Sequence, residues 1–375
     1  AGRSVTLEEW RALPLLSRED VQDHDAELVS SSSAPHHQVF REASTSGSTG
    51  RPVTVRLDRP TIAMDASLAL RHHLWHGRAL TGKCAVIRGF KGAAHPEGRR
   101  EPRWTAHPRS GPCVLLDVRS ALDDQLEWLA RERPSYLTTT PTNAQALLER
   151  AKERGLAVET LRGILTLGEV LPDSLRADML RIWGVPVSDA YSTVELGFLG
   201  FDCKRRGGLH VQAEHVFVEV LREDGSPCEV GQWGRVVVTA LHCFVMPLIR
   251  YDLGDYALVG EGCPCGSPLP VLERILGRVR NMLRLPSGDC TWPVFGGGAF
   301  RRFAPVRQFQ LVQKSLRRLE LELVTPRVLT PEEEGLLRSE TLRVLRYPFE
   351  LELRRVESIP RSSSGKFEEF RCEIA

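Results

Sequence analysis

Between residues 84 and 190, short apolar segments alternate with segments of helical periodicity, and this alternation narrows the choice of folds more than any other feature. Apolar runs of this length are typical of buried strands, whereas residues such as Pro141 favour the start of a helix. The alternation predicts an α/β fold with a mostly parallel sheet covered on both faces. The predicted strands are 84–90, 113–118, 136–140, 162–167 and 185–190, and the predicted helices are 121–131, 141–154 and 172–183.

The pattern changes after residue 210, where polar and apolar residues alternate and Gly-containing turns appear. Segments 216–221 and 234–241 predict an antiparallel β segment added to the large domain. From about residue 279 a smaller α+β unit follows. It contains a predicted strand pair, a helix and a last strand at 308–312, 319–324, 331–345 and 349–356. We therefore predict a large domain over 1–277 and a small C-terminal domain over 278–375.

The N-terminal region predicts two short helices, 7–13 and one that begins near Ser17, and a longer helix over 61–76. The longer helix carries His72, His73 and His76. Adjacent helical positions point about 100° apart, and no acid or cysteine nearby in the sequence completes a metal site. We expect these histidines to form a solvated face.

Composition excludes several classes of partner. The 375 residues carry a net charge of +2, so neither nucleic acid nor an anionic membrane is expected as a partner. The longest weakly polar run, 236–249, is too short to span a bilayer, and nothing at the N-terminus resembles a signal peptide. Nine cysteines, mostly far apart, fit reduced thiols better than a disulfide framework. These features predict a cytoplasmic protein, and they leave a homodimer open.

A loop of small residues, Ser44-Thr45-Ser46-Gly47-Ser48-Thr49-Gly50-Arg51-Pro52, precedes a segment that alternates like a strand. Glycines and hydroxyl side chains leave N–H and O–H donors uncovered, so the loop can surround an anion, typically phosphate. It is not a Walker loop, which needs Gly-Lys-Ser/Thr and a following helix. The alternative is a flexible Ser/Gly surface loop.

Cys203, His210, Cys263 and Cys265 form a second candidate site. A Cys-x6-His pair and a Cys-x-Cys pair can supply a tetrahedral Cys3His zinc site, whose four protein ligands leave no open position. Its role would be structural, because it would join two loops. The alternative is four unrelated residues, although exposed cysteine pairs are uncommon without a task.

Three further residues each have a functional and an ordinary interpretation. Glu195 follows a predicted strand and could coordinate Mg²⁺ on a nucleotide phosphate, or serve as a cap or ion-pair partner. Asp255 follows a glycine in an expected strand-exit turn, where it could accept both hydroxyls of a ribose or simply stabilise the turn. Lys366, in a Ser-rich tail, is a mobile surface lysine or a cation that stabilises negative charge on a carboxylate attacking a phosphate.

In their order along the chain, these segments resemble the AMP-forming adenylating superfamily of acyl-CoA synthetases, peptide-synthetase adenylation domains and luciferases. Within it, the chain resembles the phenylacetate-CoA ligase branch, which also holds coenzyme F390 synthetase-like and CapK-like proteins. Cys203, His210 and the Cys263–Cys265 pair resemble the zinc site of that branch. The matching motifs are 45–52, 168–169, 189–195, 247–255, 277–278 and 364–366.

The resemblance implies ATP, Mg²⁺, a structural Zn²⁺ and CoA as cofactors, and a site residue set. Glu195 would hold Mg²⁺, with Thr193 beside it among the catalytic residues, and Lys366 would bridge carboxylate and α-phosphate from a small mobile domain. Asp255 would bind the ribose hydroxyls, and Arg278 the ribose or phosphate near the hinge. The phosphate loop would comprise Thr45, Ser46, Gly47, Ser48, Thr49 and Gly50, and the adenine side of the site Gly168, Glu169, Asp189 and Tyr191.

The implied reaction has two halves. A carboxylate oxygen attacks the α-phosphorus of ATP and releases pyrophosphate, and the acyl adenylate then passes its acyl group to a thiol or an amine. Departures from the family pattern concern both halves: Val194 replaces a Ser or Thr, Arg280-Asn281 replaces Asp-Asp at the hinge, and two acids follow Phe367.

Three functions are consistent with these motifs. The first is a ligase that makes a CoA thioester of an aromatic acid. The second is an adenylating ligase whose acceptor is an amine or a carrier-protein thiol, as in a biosynthetic pathway. The third is a degenerate nucleotide-binding protein, which Val194 and Arg280 favour and which Lys366, Glu195 and Asp255 oppose.

Overall fold

The computed structural model describes residues 4–31, 34, 37–45, 51–90, 97–105, 107–205, 208–278, 282–293, 295, 300–360 and 367–374. Its helices are α1 Leu7–Arg11, α2 Arg18–Asp23, α3 Arg59–Trp75, α4 Leu122–Glu132, α5 Pro141–Arg154, α6 Asp173–Trp183 and α7 Pro331–Leu345. Its strands are β1 Arg41–Ser44, β2 Thr54–Leu57, β3 Cys84–Arg88, β4 Arg99–Glu101, β5 Cys113–Asp117, β6 Tyr136–Thr139, β7 Gly163–Leu167, β8 Val187–Thr193, β9 Gly197–Asp202, β10 Leu209–Val211, β11 Val216–Leu221, β12 Trp233–Ala240, β13 Tyr251–Val259, β14 Val271–Arg278, β15 Leu283–Arg284, β16 Cys290–Thr291, β17 Gln308–Gln313, β18 Arg318–Val324, β19 Glu350–Arg355 and β20 Phe370–Cys372.

The chain divides into two compact units. The first comprises residues 1–82, 102–112 and 188–276, and the second comprises 83–101, 113–187 and 277–375. Each unit is built from separate stretches of sequence. The domain boundary between residues 277 and 278 stays a prediction.

The second unit contains the expected parallel strands, in the order β7-β6-β3-β5, with β4 antiparallel at the edge. Helices α4, α5 and α6 pack beside one another, and their apolar faces join the strands in one buried core. Local signals explain why α5 was predictable: Thr140 caps it, Pro141 begins it, and Gly155 ends it in the left-handed conformation.

The C-terminal part of the second unit has its own core around a four-stranded sheet in the order β19-β18-β17-β20. The predicted pairing of β17 with β18 is confirmed, and it is antiparallel. Helix α7 has the bounds that the sequence predicts. Thr330 and Glu333 form a capping box at its start, and Pro331 occupies its first turn.

The first unit contains the predicted antiparallel segment, with strands in the order β11-β12-β13-β14-β10-β9-β8. A separate antiparallel pair, β1 and β2, flanks the small-residue loop, as the alternation after the loop indicates. Valines and leucines from these strands bury one continuous core. The strands β8, β9 and β13 place the site residues described below.

The prediction of a solvated histidine face on α3 is wrong. His72 and His73 are only 2% and 4% exposed, because α3 packs against β9. His73 Nε2 lies 3.0 Å from the carbonyl oxygen of Ala79, and its ring packs against Trp104. His72 and His76 face Asp202, an acid that the local sequence around the helix could not reveal.

Two further features concern the environment of the chain. Within the described residues, no helix combines the length and apolar character needed to cross a bilayer. All nine cysteines lie in the described part of the chain, and none forms a disulfide.

Candidate functional site

Tyr191 on β8 and Asp255 on β13 meet in the first unit. The Tyr191 hydroxyl donates a hydrogen bond of 2.7 Å to Oδ2 of Asp255, whose side chain is buried. A hydrogen bond to an ionised acceptor is about twice as strong as a neutral one, so this bond fixes the carboxylate. Because a carboxylate can accept several hydrogen bonds, Asp255 can also accept from a ligand with two hydroxyls.

The predicted setting of Asp255, a strand-exit turn, is wrong. Residues Tyr251–Val259 form one strand, and Asp255 lies in its interior. Gly254 has a positive φ of 69°, and the register with β12 shifts in this region, so the glycine produces an irregularity in the strand instead of a reversal of the chain. A bulge of this kind redirects side chains at functional sites.

Glu195 lies two residues beyond β8 and is buried. One of its carboxylate oxygens is 3.5 Å from the Arg18 guanidinium at the start of α2. Arg18 also donates a 3.0 Å hydrogen bond to Oγ1 of Thr45, the first residue of the predicted phosphate loop that the structure describes after β1. A single guanidinium therefore contacts both the predicted magnesium ligand and the beginning of the loop.

Arg18 is a site residue that the sequence did not reveal. In the sequence, Arg18 follows Ser17 in what is predicted to be the first turn of a short helix, and no functional motif includes it. The structure confirms that Ser17 caps this helix. The Nε atom of Arg18 is buried and has no hydrogen-bond partner among the described residues. Buried donors of a charged group are normally paired, so an acceptor such as an anionic ligand would satisfy this one.

The start and the end of the small-residue loop are held in place. Thr45 Oγ1 accepts a 2.9 Å hydrogen bond from the Val53 amide, and the Thr45 amide donates to the Val53 carbonyl. Arg51 is 2.5 Å from Asp23, an ion pair that already engages its guanidinium. The predicted loop residues Ser46, Gly47, Ser48, Thr49 and Gly50 lie outside the described residues.

Thr193 supports the turn that leads to Glu195. Its Oγ1 accepts a 3.0 Å hydrogen bond from the Leu196 amide, while Val194 between them is 47% exposed. The valine that replaces the usual hydroxyl residue therefore points into solvent rather than into a core. Asp189 lies on β8 as well, two residues before Tyr191.

In the second unit, Gly168 follows β7 with a positive φ of 83°, which favours glycine. The next residue, Glu169, accepts hydrogen bonds from the amide and hydroxyl of Thr142, at 3.0 and 3.1 Å, in the first turn of α5. A third bond of 2.9 Å comes from the amide of Phe367. The helix dipole stabilises a carboxylate at a helix N-terminus. Because Glu169 also accepts from Phe367, it joins α5 to the C-terminal tail.

The same tail carries Glu369, whose surroundings oppose ionisation. Burial, with the nearby Glu169 carboxylate as a second cause, raises the pKa of Glu369 to about 7, and Arg301 acts in the opposite direction. Arg301 is itself paired with Glu149 on α5, at 2.7 Å. Lys366, the predicted catalytic lysine, precedes Phe367 and lies outside the described residues.

The predicted hinge begins at the end of β14. Gly277 has a φ of 121°, and a Cβ at this position would lie 3.4 Å from the ring of Trp292. The same Trp292 donates from Nε1 to the carbonyl oxygen of Arg278, at 3.3 Å. Trp292 thus fixes the main chain of both motif residues, whereas Arg280 and Asn281 lie outside the described residues.

The structure brings the four predicted zinc ligands together in the first unit. Their ligand atoms all lie within 4.8 Å of one another, with Cys263 Sγ 3.5 Å from Cys203 Sγ and Cys265 Sγ 3.4 Å from His210 Nε2. Zinc–sulfur and zinc–nitrogen bonds of about 2.3 and 2.0 Å place tetrahedral ligand atoms about 3.5–3.8 Å apart, so the set fits the ion.

Main-chain amides donate to two sulfur atoms of this cluster, whereas burial raises the pKa of the Cys263 thiol to about 11. The Ser267 amide donates to Cys265 Sγ, and this hydrogen bond lowers the pKa of the Cys265 thiol. The Arg205 amide donates to Cys203 Sγ in the same way. Thiolate is the form of cysteine that binds metal, so both contacts suit a metal centre.

Comparison with curated proteins finds relatives of one kind. The chain is 28% identical over 297 residues to the phenylacetate-coenzyme A ligase of Thermus thermophilus, covering 74% of this chain and 62% of that protein. It is 24% identical over 288 residues to the phenylacetate-coenzyme A ligase of Escherichia coli K12, with coverage of 74% and 63%. The predicted resemblance is confirmed. The chain spans less than two thirds of the length of these relatives, and no family model matches it.

Solved structures show the same fold. A 2-hydroxyisobutyryl-CoA ligase in the postadenylation state superposes with a TM-score of 0.77 and 20% identity, covering 98% of this chain and 81% of that one. An o-succinylbenzoate-CoA synthetase from Bacillus subtilis, in complex with ATP and a magnesium ion, gives 0.61 and 17%, with coverage of 88% and 69%. The chain therefore has the α/β fold of AMP-forming acyl-CoA ligases and is related in sequence to phenylacetate-coenzyme A ligases.

Proposed function

We propose that this chain activates a carboxylic acid with ATP, forms an acyl adenylate, and transfers the acyl group to the thiol of CoA. The observation that carries the proposal is the hydrogen-bonded pair of Tyr191 and Asp255, together with the Arg18–Glu195 ion pair at the start of the small-residue loop. These contacts support ribose binding by Asp255 and phosphate binding beside Glu195, two residues that lie in the motifs of the resemblance. The relatives are themselves CoA ligases.

In this proposal Asp255 accepts hydrogen bonds from the ribose hydroxyls, and Tyr191 holds the carboxylate in orientation. Arg18 and the loop from Thr45 to Gly50 bind the β- and γ-phosphates, where the partly buried guanidinium offsets their negative charge. Glu195 is the carboxylate that suits Mg²⁺, an ion that would neutralise the triphosphate. By the resemblance, Gly168, Glu169 and Asp189 would each contribute to nucleotide binding, and Thr193 maintains the turn that presents Glu195.

The first half-reaction forms a bond between a carboxylate oxygen and the α-phosphorus and breaks the bond to the β-phosphate oxygen, so pyrophosphate leaves. Lys366 stabilises the charge that develops on the oxygens between the two reactants. In the second half, the CoA sulfur attacks the acyl carbonyl, and AMP leaves with the bonding electrons. The small domain and the hinge at Arg278 would change position between the halves.

We propose an aromatic acid as substrate, because the curated relatives are phenylacetate-coenzyme A ligases. CoA is the proposed acceptor for the same reason. A carrier-protein thiol or an amine is the alternative acceptor, and the altered hinge residues Arg280-Asn281 are what motivates it. Mass spectrometry of the product formed with CoA, a carrier protein or amines separates these acceptors.

Zinc is proposed as a structural cofactor at Cys203, His210, Cys263 and Cys265. The four donors converge at distances that suit the ion, and main-chain amides donate to the sulfur atoms of two of them. A zinc ion there would join the segment around β10 to the loop between β13 and β14. We also propose a cytoplasmic location, where thiols stay reduced, and a homodimer, which size-exclusion chromatography with light scattering would test.

The test of the proposed function is acid-dependent ATP–pyrophosphate exchange with Mg²⁺ across a panel of aryl and alkyl acids. We expect exchange with at least one aryl acid. Asp255→Asn, which keeps the size of the side chain, should raise the KM for ATP about tenfold, the effect of losing about 1.4 kcal/mol of binding. Asp252→Asn on the same strand is the matched control and should leave the KM unchanged. No exchange across the whole panel, with ATP still bound, would favour the degenerate protein.

A further inference from the structure

A second group of metal-ligating side chains lies outside the site described above. His72 lies in the last turn of α3, His76 is the residue that caps the C-terminus of that helix, and Asp202 is the last residue of β9. A spacing of four residues places two histidines on the same face of a helix, the arrangement in which helical histidine pairs hold a metal. The pairing of α3 with β9 brings the carboxylate to that face.

The three ligand atoms converge. Nε2 of His76 and Nε2 of His72 are 3.1 and 3.9 Å from Oδ1 of Asp202, and all three atoms lie within 4.8 Å of one another. Zinc bonds of about 2.0–2.2 Å to nitrogen and oxygen place tetrahedral ligand atoms about 3.3–3.5 Å apart. Movements of about 1 Å or less in the side chains would therefore complete the coordination.

Burial separates this group from an ordinary surface cluster. The side chains of His72 and Asp202 are 2% exposed, and that of His76 is 12% exposed. Neither Nε2 atom makes a hydrogen bond of acceptable geometry with any described residue, although both are buried. An imidazole nitrogen that is buried without a partner costs free energy, and a metal ion would recover it.

The same three side chains could instead form an ion pair between a protonated histidine and Asp202. The neighbouring charged groups disfavour that alternative. Two histidines share one carboxylate oxygen here, since Nε2 of His76 and Nε2 of His72 both face Oδ1 of Asp202, and the guanidinium of Arg78 is a nearby cation. Lys204 is a further cation near this turn, against Gly77. Protonation of both imidazoles would add positive charge beside two cations, whereas neutral imidazoles present lone pairs to a metal.

We propose that His72, His76 and Asp202 bind a divalent transition-metal ion, zinc by preference, at a site distinct from the four-ligand cluster. Two imidazoles and one carboxylate select zinc or a similar ion over Mg²⁺ or Ca²⁺, which prefer oxygen ligands. Three protein ligands leave one position for water or another small ligand.

The site would join α3 to the end of β9, directly before Cys203. Since β9 begins two residues after Glu195, the metal would hold the strand that follows the proposed magnesium ligand. Trp75, from the same turn of α3, packs edge-on against His210 of the four-ligand cluster, with ring centroids 5.9 Å apart. Metal binding at the new site would therefore also support the other one.

The test uses the full chain, stripped with a chelator under reducing conditions and reloaded with Co²⁺ in place of zinc. Wild-type protein should take up one more equivalent of cobalt than the cluster of Cys203, His210, Cys263 and Cys265 accounts for. Thiolate-to-cobalt charge-transfer absorption reports cobalt at the cysteine site. The extra equivalent should add ligand-field bands but no further charge-transfer absorption. Elemental analysis of the protein as purified gives an independent count of zinc.

His76→Gln and Asp202→Asn should each lose one equivalent and keep the thiolate bands. His73→Gln, a buried histidine on the same helix that contacts Ala79 instead, is the matched control and should retain both equivalents. Cys263→Ser with Cys265→Ser should lose the charge-transfer bands and keep the second equivalent. The proposal is overturned if wild-type protein binds only as much cobalt as the cysteine site accounts for. It is also overturned if His76→Gln binds as much cobalt as wild type. Both results stand even if another variant fails to fold.

Discussion

Replacing Glu369 with Gln tests whether a poorly ionised carboxyl controls the attachment of the C-terminal tail. In the folded chain the pKa of Glu369 is raised from its ordinary value of 4.5 to about 7, by burial first and by the Glu169 carboxylate second. Between these two pH values the folded chain binds more protons than the unfolded chain. Stability is therefore highest at low pH and falls as the pH rises toward 7.

The size of the effect follows from the pKa difference. A raised pKa of about 7 against 4.5 corresponds to about 3 kcal/mol of lost stability above pH 7 as an upper limit. Because the Glu369 side chain keeps some exposure to solvent, water reduces this loss to about 1–2 kcal/mol. Glutamine mimics the protonated carboxyl, so Glu369→Gln should stabilise the chain by about that amount at pH 8 and by well under 1 kcal/mol at pH 5.

Two measurements check this expectation: thermal unfolding from pH 5 to pH 8.5, and hydrogen exchange of a peptide covering residues 367–374. The Phe367 amide donates to Glu169, so its exchange reports attachment of the tail directly. Glu368→Gln is the neighbouring control. The reasoning fails if Glu369→Gln gives the same gain at pH 5 as at pH 8, or if Glu368→Gln reproduces the pH-dependent gain.

Four other predictions follow, three on the proposed ligase site and one on the zinc cluster. Tyr191→Phe should lower stability by about 1.5–3 kcal/mol, since it removes a hydrogen bond to a buried carboxylate, and should raise the KM for ATP; urea unfolding and exchange kinetics measure both. Arg18→Gln should reduce ATP–pyrophosphate exchange at least tenfold, with Arg18→Lys intermediate because it keeps the charge but not the forked donors; equal activity of all three forms would contradict the role. Lys366→Ala should cut adenylation by orders of magnitude with little change in ATP binding, measured by exchange and calorimetry. Chelation of zinc under reducing conditions should lower the melting temperature, and Cys263→Ser should make that response smaller.

Local signals explain the part of the fold that the sequence predicts well. The capping box of Thr330 with Glu333 sets the start of α7, and the Thr140-Pro141 step sets the start of α5. The period of two in residues 216–221 is also a local signal, and it predicts β11 because residues on the buried face of a strand recur at every second position. Each of these features depends on residues within one or two turns of one another.

Contacts between distant residues explain what the sequence did not reveal. Asp202 is far along the chain from His72 and His76, so the local sequence of α3 indicated a solvated face while packing against β9 buried it. Arg18 belongs to no sequence motif, and its contacts with Thr45 and Glu195 become visible only in the folded chain. Gly254 predicts a turn as readily as a bulge, so the local sequence does not distinguish a strand end from an irregularity within the strand.

Glu169 shows how one motif residue can link the two proposed half-reactions. Its carboxylate accepts from Thr142 at the N-terminus of α5 and from the amide of Phe367, the residue that follows Lys366 in the sequence. A change in position of the tail would break the second bond and leave the first, because Thr142 belongs to the core helix. When Glu369 is ionised, its negative charge repels the Glu169 carboxylate, which holds the Phe367 amide. Protonation of Glu369 removes this repulsion and therefore favours the attached tail. The attachment of residues 367–374 is therefore coupled, through one carboxylate, to the loop after β7.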